Sequence, residues 1–236
     1  GYACILTADL KKGYFTKEPE MLKMLSEIFE NCHSHASRFA SLADSANHAA
    51  EQMAFLSATF SERSTGYSLQ MEPCFMPVLT KEILQKYVRK DLPGREIFLV
   101  QLQDYTRQLA KQKMIYICSM EGILRFLQNG RIPEIPDGLY EIPSVSDRIQ
   151  IVKALLAPER ATRLRILKNS IGNTETPIYL YITPKTGTRR LPLATDQMVN
   201  LQIQETGMLE AFYDFCENLD EEMFYSFEEA EQIVEE

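Results

Sequence analysis

The sequence predicts an α/β or α+β fold: a mixed sheet of about four to five strands, flanked by helices and preceded by an N-terminal helical arm. Two observations predict the sheet. Short apolar runs recur at Met114–Cys118, Leu164–Leu167, Ile178–Ile182 and Met198–Ile203, and helix-like stretches follow the first and the fourth. Strand-like runs separated by helical patterns indicate a sheet with helices on its faces. A third observation predicts the arm: from Lys17 to Ser61 apolar residues recur at helical spacing. The expected division is an arm over residues 1–65 and an α/β domain over 66–236 that ends in acidic helices.

In the arm, Met21, Leu22, Leu25, Ile28, Phe29 and Cys32 form one apolar stripe, and Thr16 with Pro19 suits a helix start. A second stretch, His35 to Phe60, is rich in Ala and Ser, with a stripe from Phe39 and Leu42 to Met53 and Phe60. Small residues let another helix approach closely, so the stretch reads as half of a helical hairpin, a dimer-forming arm, or ordinary internal packing. Glu62 to Gly66 breaks the pattern, and Tyr67–Met71 alternates as a strand does. Pro73 and Pro77 bracket an extended connection. Thr80 opens a helix to Lys90, Pro93-Gly94 punctuates, and Arg95 to Gln112 forms the next helix.

The strand Lys113–Cys118 leads into a helix from Met120 to Gln128, closed by Asn129-Gly130 as a C-cap. A proline-rich loop runs from Ile132 to Pro143. Ser144 or Ser146 caps a helix to Leu156, with Asp147 in its first turn. Strands follow at 163–168 and 177–183, then a turn at Pro184–Gly187. A strand at 198–204 leads through Gly207 into a helix carrying Met208, Leu209, Phe212, Phe215 and Leu219.

At 236 residues, 45% hydrophobic and 25% charged, the chain has the composition of a globular protein large enough for a proper core. No apolar run approaches membrane-spanning length, and no signal peptide opens the chain. The leading Gly1 and the ending Glu235-Glu236 read as those of a piece excised from a longer protein. The five cysteines are scattered without CxxC spacing, and Cys118 and Cys216 sit in apolar patterns. They read as reduced, mostly buried thiols of a cytoplasmic protein. Net charge is −8, unevenly spread: the first 190 residues hold all 25 Lys and Arg against 20 acids, whereas 13 acids and no base follow Arg190. That tail repels nucleic acid and reads as a solvated helix face or as a docking surface for a basic partner.

Motifs for catalysis, metals and cofactors are missing. His33 and His35 are two residues apart, about 200° around a helix, and do not share a metal there. No GxSxG elbow, zincin motif, phosphate-binding glycine loop or HxKxxxxD motif occurs, and Lys185-Thr186-Gly187 stands without the partner motifs of serine β-lactamase-type enzymes. The expectation is therefore a protein that is not an enzyme, with no metal and no cofactor. What remains is a basic and aromatic set. Arg148, Lys153, Arg160, Arg163, Arg165 and Lys168 are closely spaced. In strand geometry Arg163 and Arg165 share one face, as do Tyr179 and Tyr181 in the strand expected beside it. Such a face suits an anionic or planar ligand, through charge-assisted hydrogen bonds and stacking. The alternative is a solvent face, or pairing with the acidic tail.

The order of several short motifs adds a resemblance. Asp104-Tyr105-Thr106-Arg107, the stretch Met114–Phe126, Ser146-Asp147-Arg148-Ile149, Arg163–Lys168 and Ile178–Ile182 succeed one another over about 160 residues. From about Val78 onward the chain thus resembles the C-terminal regulatory region of Firmicutes transcription regulators that carry an N-terminal helix-turn-helix of the xenobiotic-response-element type. The acidic tail beyond Leu219 departs from the pattern. The resemblance implies a sensor or effector-binding domain that contacts DNA only through a domain outside this chain. The arm would then be a linker or a dimerisation element. The reading is a cytoplasmic, homodimeric regulatory domain that takes a small anionic or aromatic effector and no membrane, with Arg107, Arg148, Arg165, Tyr179 and Tyr181 lining the site. The competing reading is a protein-interaction module that docks through the arm or the acidic tail.

Overall fold

The computed structural model describes residues 3–6, 13–35, 40–43, 48–51, 53–54, 65–171, 179–194 and 197–235. They belong to two compact units, Gly1–Arg38 and Phe39–Glu236. In the first, strands β1 (Ala3–Leu6) and β2 (Gly13–Thr16) pair antiparallel and lead into helix α1 (Pro19–His35). The helix starts at Pro19 as expected, and the Thr16 hydroxyl accepts from the Glu18 N–H in the turn before it.

The second unit is a mixed α/β structure on one seven-stranded sheet. Its strands are β3 (Ala40–Ala43), β4 (Thr65–Gln70), β5 (Lys113–Ser119), β6 (Leu164–Leu167), β7 (Tyr179–Ile182), β8 (Gly187–Ala194) and β9 (Gln197–Ile203), in spatial order β3-β9-β8-β7-β4-β5-β6. β4, β5 and β6 run parallel; the remaining pairs are antiparallel. The first crossover holds α2 (Lys81–Tyr87) and α3 (Arg95–Lys111), the second α4 (Met120–Asn129) and α5 (Val145–Leu155). Their apolar residues share a single core with Met114, Tyr116, Cys118, Leu164 and Ile166, so all four cover one face of the sheet. Two successive crossovers of one hand require this. The opposite face is covered by α6 (Thr206–Glu217), whose Leu209 and Cys216 pack with Tyr67, Leu69, Ile117, Leu180 and Ile182.

Local signals explain the helix ends. Ser119 caps α4 by accepting from the Gly122 N–H, and Gly130 closes it in a left-handed conformation (φ 70°). Gly122 allows a close approach, since a Cβ there would lie 2.0 Å from the Met71 carbonyl oxygen. Ser144, rather than Ser146, caps α5. After α6 the chain crosses the β6 edge of the sheet. Tyr225 N–H donates to Ile166 O and Lys168 N–H to Met223 O, and α7 (Phe227–Glu235) then buries Ala230 in the core of the first face. The acidic tail is thus a covering for an edge strand whose main-chain groups would otherwise lie open.

Three expectations are corrected. The sheet has seven strands rather than four or five, and β1 and β2 add a separate pair. The Ala-rich stretch is not one helix: Ala40–Ala43 is an edge strand on β9, and helical residues resume at 48–51 and 53–54, where Ala49, Ala50 and Met53 are buried. The turn at Pro184–Gly187 opens a strand, β8, with Pro192 inside it. β8 pairs with β7 only from Gly187 to Arg190, so Pro192 lies beyond that ladder and its missing N–H costs nothing there. Gly172-Asn173, expected to join two strands, lies outside the described residues.

Candidate functional site

The centre of the helix-covered face is polar. Across β8, β7, β4 and β5 the register sets Thr188, Tyr181, Ser68 and Tyr116 in one row; Tyr179 and Gln70 stand opposite each other in the next. Strand alternation sends these side chains to one side and Tyr67, Leu69, Leu180 and Ile182 to the other. Ser68, Gln70 and Thr188 are 1%, 7% and 5% exposed, so the polar row lies inside the protein. Gln70 Nε2 donates to Ser68 Oγ at 3.1 Å, whereas Gln70 Oε1 and Thr188 Oγ1 are buried without a hydrogen-bond partner. Buried polar atoms in this state cost stability, and most cores avoid them.

At the carboxyl ends of β4 and β5 the polar groups satisfy one another. Tyr179 donates its hydroxyl to Glu72 at 2.5 Å; Arg125 Nη1 is 3.6 Å from the same carboxylate and donates through Nη2 to Glu121 at 2.5 Å. Ser170 completes the set against Ser119 and Glu121. Burial, then the Glu72 charge, pushes the Tyr179 phenol well above its usual range, so it remains a donor. Tyr181 donates to the side-chain oxygen of Gln112, whose backbone oxygen accepts from Arg163 Nη1 at 2.8 Å.

The five residues expected to line one site do not meet. Tyr179 and Tyr181 share the polar layer. Arg165 lies on the other face and on β6, which is not beside β7 as expected but separated from it by β4 and β5. Its guanidinium stacks 3.8 Å over Phe224 and donates to Glu221 at 2.6 Å, the alternative of pairing with the acidic tail. Arg148 donates to the carbonyls of Leu127 and Gln128, both at 2.7 Å, and so caps the end of α4. Arg107 sits exposed on α3, 3.0 Å from Asp104.

Sequence reasoning passed over Arg160 and Arg163 as site residues. Arg160 ends the short turn Pro158–Arg160, Arg163 follows it, and both line a cavity with Cys74, Pro77 and Tyr116. The cavity is small: about 270 Å³ of empty space, open solvent at its mouth included. Arg160 Nη2 donates to Pro77 O at 2.8 Å. Burial lowers the Arg160 pKa, the neighbouring Arg163 charge adds to the effect, and the attraction of Glu159 is the weakest influence named. Tyr116 donates to Leu109 O at a long 3.4 Å. A larger groove of about 730 Å³ lies between α5 and α7, lined by Val152, Leu156 and Val234 and by the charged Lys153, Glu231 and Glu235.

Cys74, Cys118 and Cys216 are buried thiols outside any disulfide, and burial pushes Cys118 up to about 12 and Cys216 up to about 11, so both stay protonated. His33 and His35 both belong to α1. Among the described residues no group of three or more His, Cys, Asp or Glu is placed to hold a metal, and no helix is long and apolar enough to cross a membrane.

No family model and no curated protein matches the chain. Among solved structures it is similar to TrmBL2, an archaeal chromatin protein whose structure is described as showing a novel mode of DNA binding. The two are 10% identical with a TM-score of 0.33, and the match covers 83% of this chain and 59% of that one, so the chain spans well under two thirds of that protein's length.

Proposed function

We propose that this chain is the effector-binding regulatory domain of a transcription regulator of the helix-turn-helix class its motifs resemble, whose DNA-binding domain is not in this chain. On this reading it is non-catalytic and cytoplasmic. One observation carries the effector reading: a buried layer of Ser68, Gln70, Tyr179, Tyr181 and Thr188, in which Gln70 Oε1 and Thr188 Oγ1 lack partners. A core built for stability alone would fill those positions with apolar side chains, whereas a ligand would supply the missing hydrogen bonds. Effector binding would shift the domain between two arrangements and so the DNA-binding heads attached to it. The test is a thermal-shift screen against a metabolite library rich in anions, repeated on Gln70→Leu and Tyr181→Phe. A compound whose stabilisation rises with concentration in the wild type and is lost in both variants supports the reading. A library without a single such compound sinks it.

A second reading has its own observation. Ile142, Val145 and Ile149 are 64%, 61% and 44% exposed, at and beside the outer face of α5 and next to the 730 Å³ groove. A helix apolar on its inner and outer faces suits a protein partner. Under that reading, Val145→Asp with Ile149→Asp would abolish capture of a partner or self-association measured by light scattering, and leave the folded fraction unchanged.

A further inference from the structure

The basic cluster from α5 to β6 holds two kinds of arginine. Arg165 is committed to Phe224 and Glu221, and Arg148 holds through Nη1 the two carbonyls that end α4, while its buried Nε lacks a partner. Arg160 and Arg163 are half-buried side by side, and each donates to a single backbone carbonyl, Pro77 O and Gln112 O. Among the described residues neither has a carboxylate within ion-pair distance. Two like charges that share a partly desolvated cavity repel each other, an arrangement that costs stability unless an anion offsets it. The buried Tyr116 beside them has its phenol pushed well up by burial, so it stays an O–H donor, and its present bond is weak enough to redirect. Two guanidinium forks and a neutral hydroxyl at one cavity form a donor-rich set without a carboxylate, which matches an oxyanion.

We infer that Arg160, Arg163 and Tyr116 form an oxyanion-binding site at the mouth of this cavity, which anchors the charged group of the effector. Its role, though not its existence, rests on the effector-domain reading. The anion sits at the mouth, where both half-buried guanidinium groups reach solvent. The site is linked to the polar layer through Gln112, whose backbone oxygen is held by Arg163 and whose side-chain oxygen is held by Tyr181. An anion that draws Arg163 toward the mouth therefore acts on the residue that positions Tyr181. This couples charge recognition to the row of Tyr181, Ser68 and Thr188.

The test titrates the 236-residue chain with inorganic phosphate and, separately, with glycerol 3-phosphate, against sodium chloride at matched ionic strength. Melting temperature and phosphorus NMR line width are followed. The expected result is a saturable rise in melting temperature and line broadening for at least one probe, both lost in Arg160→Gln/Arg163→Gln and weakened tenfold or more in affinity in Arg160→Lys/Arg163→Lys, which keeps the charge but not the forks. A response to glycerol 3-phosphate alone identifies a phosphate monoester; a response to both identifies the oxyanion itself. Should the double Gln variant fail to fold, Arg160→Gln alone and the Lys pair decide, since each keeps a donor to at least one of the two carbonyls. No response beyond chloride in the wild type overturns the site, as does an equal response in the variants. Binding that leaves Gln70→Leu and Tyr181→Phe as responsive as wild type preserves the site and removes its link to the polar layer. That outcome separates failure of the effector reading from failure of the anion site.

Discussion

The two faces of the sheet's centre are built on opposite plans. Beneath α6, the face formed by Tyr67, Leu69, Ile117, Leu180 and Ile182 is almost wholly apolar, and Leu69, Ile117 and Ile182 are no more than 1% exposed. On the other face the same strands present Ser68, Gln70 and Tyr179, buried, and Tyr181, partly buried, all with hydrogen-bonding groups, and Gln70 Oε1 there has no partner. Alternation along β4 is the same in both directions; what differs is what covers each side. The apolar face stabilises, and the polar face surrenders stability for a hydrogen-bonding surface. This division is the physical ground for seeking an effector on one side only.

The comparison breaks first on the apolar face. Ile182→Ala should cost about 2–5 kcal/mol, the range for truncating a buried aliphatic side chain that leaves a cavity. Denaturant unfolding measures it, and phosphate affinity should not change. Gly122→Ala, which drives a methyl into the Met71 carbonyl, should cost about 1–3 kcal/mol or more by overpacking. The polar face should respond in the reverse direction. Thr188→Val removes a buried hydroxyl without a partner at nearly constant volume, so stability should rise by about 1 kcal/mol. A loss of the same size would show that the hydroxyl is bonded in solution, and that the layer is structural.

Much of the fold was legible because the signals were local. Lys113–Ser119 followed by Met120–Asn129, closed at Gly130, could be read within a residue, since both faces of β5 are buried and its Met114–Cys118 run is apolar; the Ser119 N-cap went unread. Ala40–Ala43 could not, because its pairing with β9 spans about 160 residues and nothing in Ala-Ser-Leu-Ala favours a strand over a helix. β8 was hidden by Pro192 and by its two arginines, Arg189 and Arg190. At the site, the alternation Tyr67-Ser68-Leu69-Gln70 was read correctly as a strand, but alternation conventionally means one wet face, and here both faces are covered. The arginines were legible as a cluster only. Which of them are committed depends on tertiary partners such as Glu221, 56 residues beyond Arg165.

A pH titration sharpens the comparison on the helix-covered face. The Asp147 carboxyl is lowered to about 2, first by the Lys86 bond at 2.5 Å and then by the Tyr87 hydroxyl. A depressed carboxyl contributes stability in full above its unfolded value of 3.8, and that contribution is lost as pH falls through about 2. Lys86 has the opposite sign: its pKa is raised by the same partner, so its share is full below 10.5 and disappears only as pH rises past that. Melting temperature should therefore fall between about pH 4 and 2, and Asp147→Asn should flatten that part of the curve while lowering the plateau above it. Because α5 carries Asp147 and leads into the turn with Arg160, the variant should also weaken phosphate binding; Ile182→Ala should not.

The smallest effect is the most discriminating. Arg165→Ala should cost about 1 kcal/mol or less, because Glu221 is 87% exposed and the ion pair is screened, which leaves mainly the stacking on Phe224. Glu221→Gln should cost less still, and its effect should vanish at high salt, whereas the stacking part of Arg165→Ala should persist. Phosphate affinity should be the same in all of these variants. If Arg165→Ala instead abolished phosphate binding while Arg160→Gln spared it, the assignment of committed and available arginines would be reversed. The anion would then belong to the apolar face and the acidic tail, and the contrast between the two faces would lose its functional meaning.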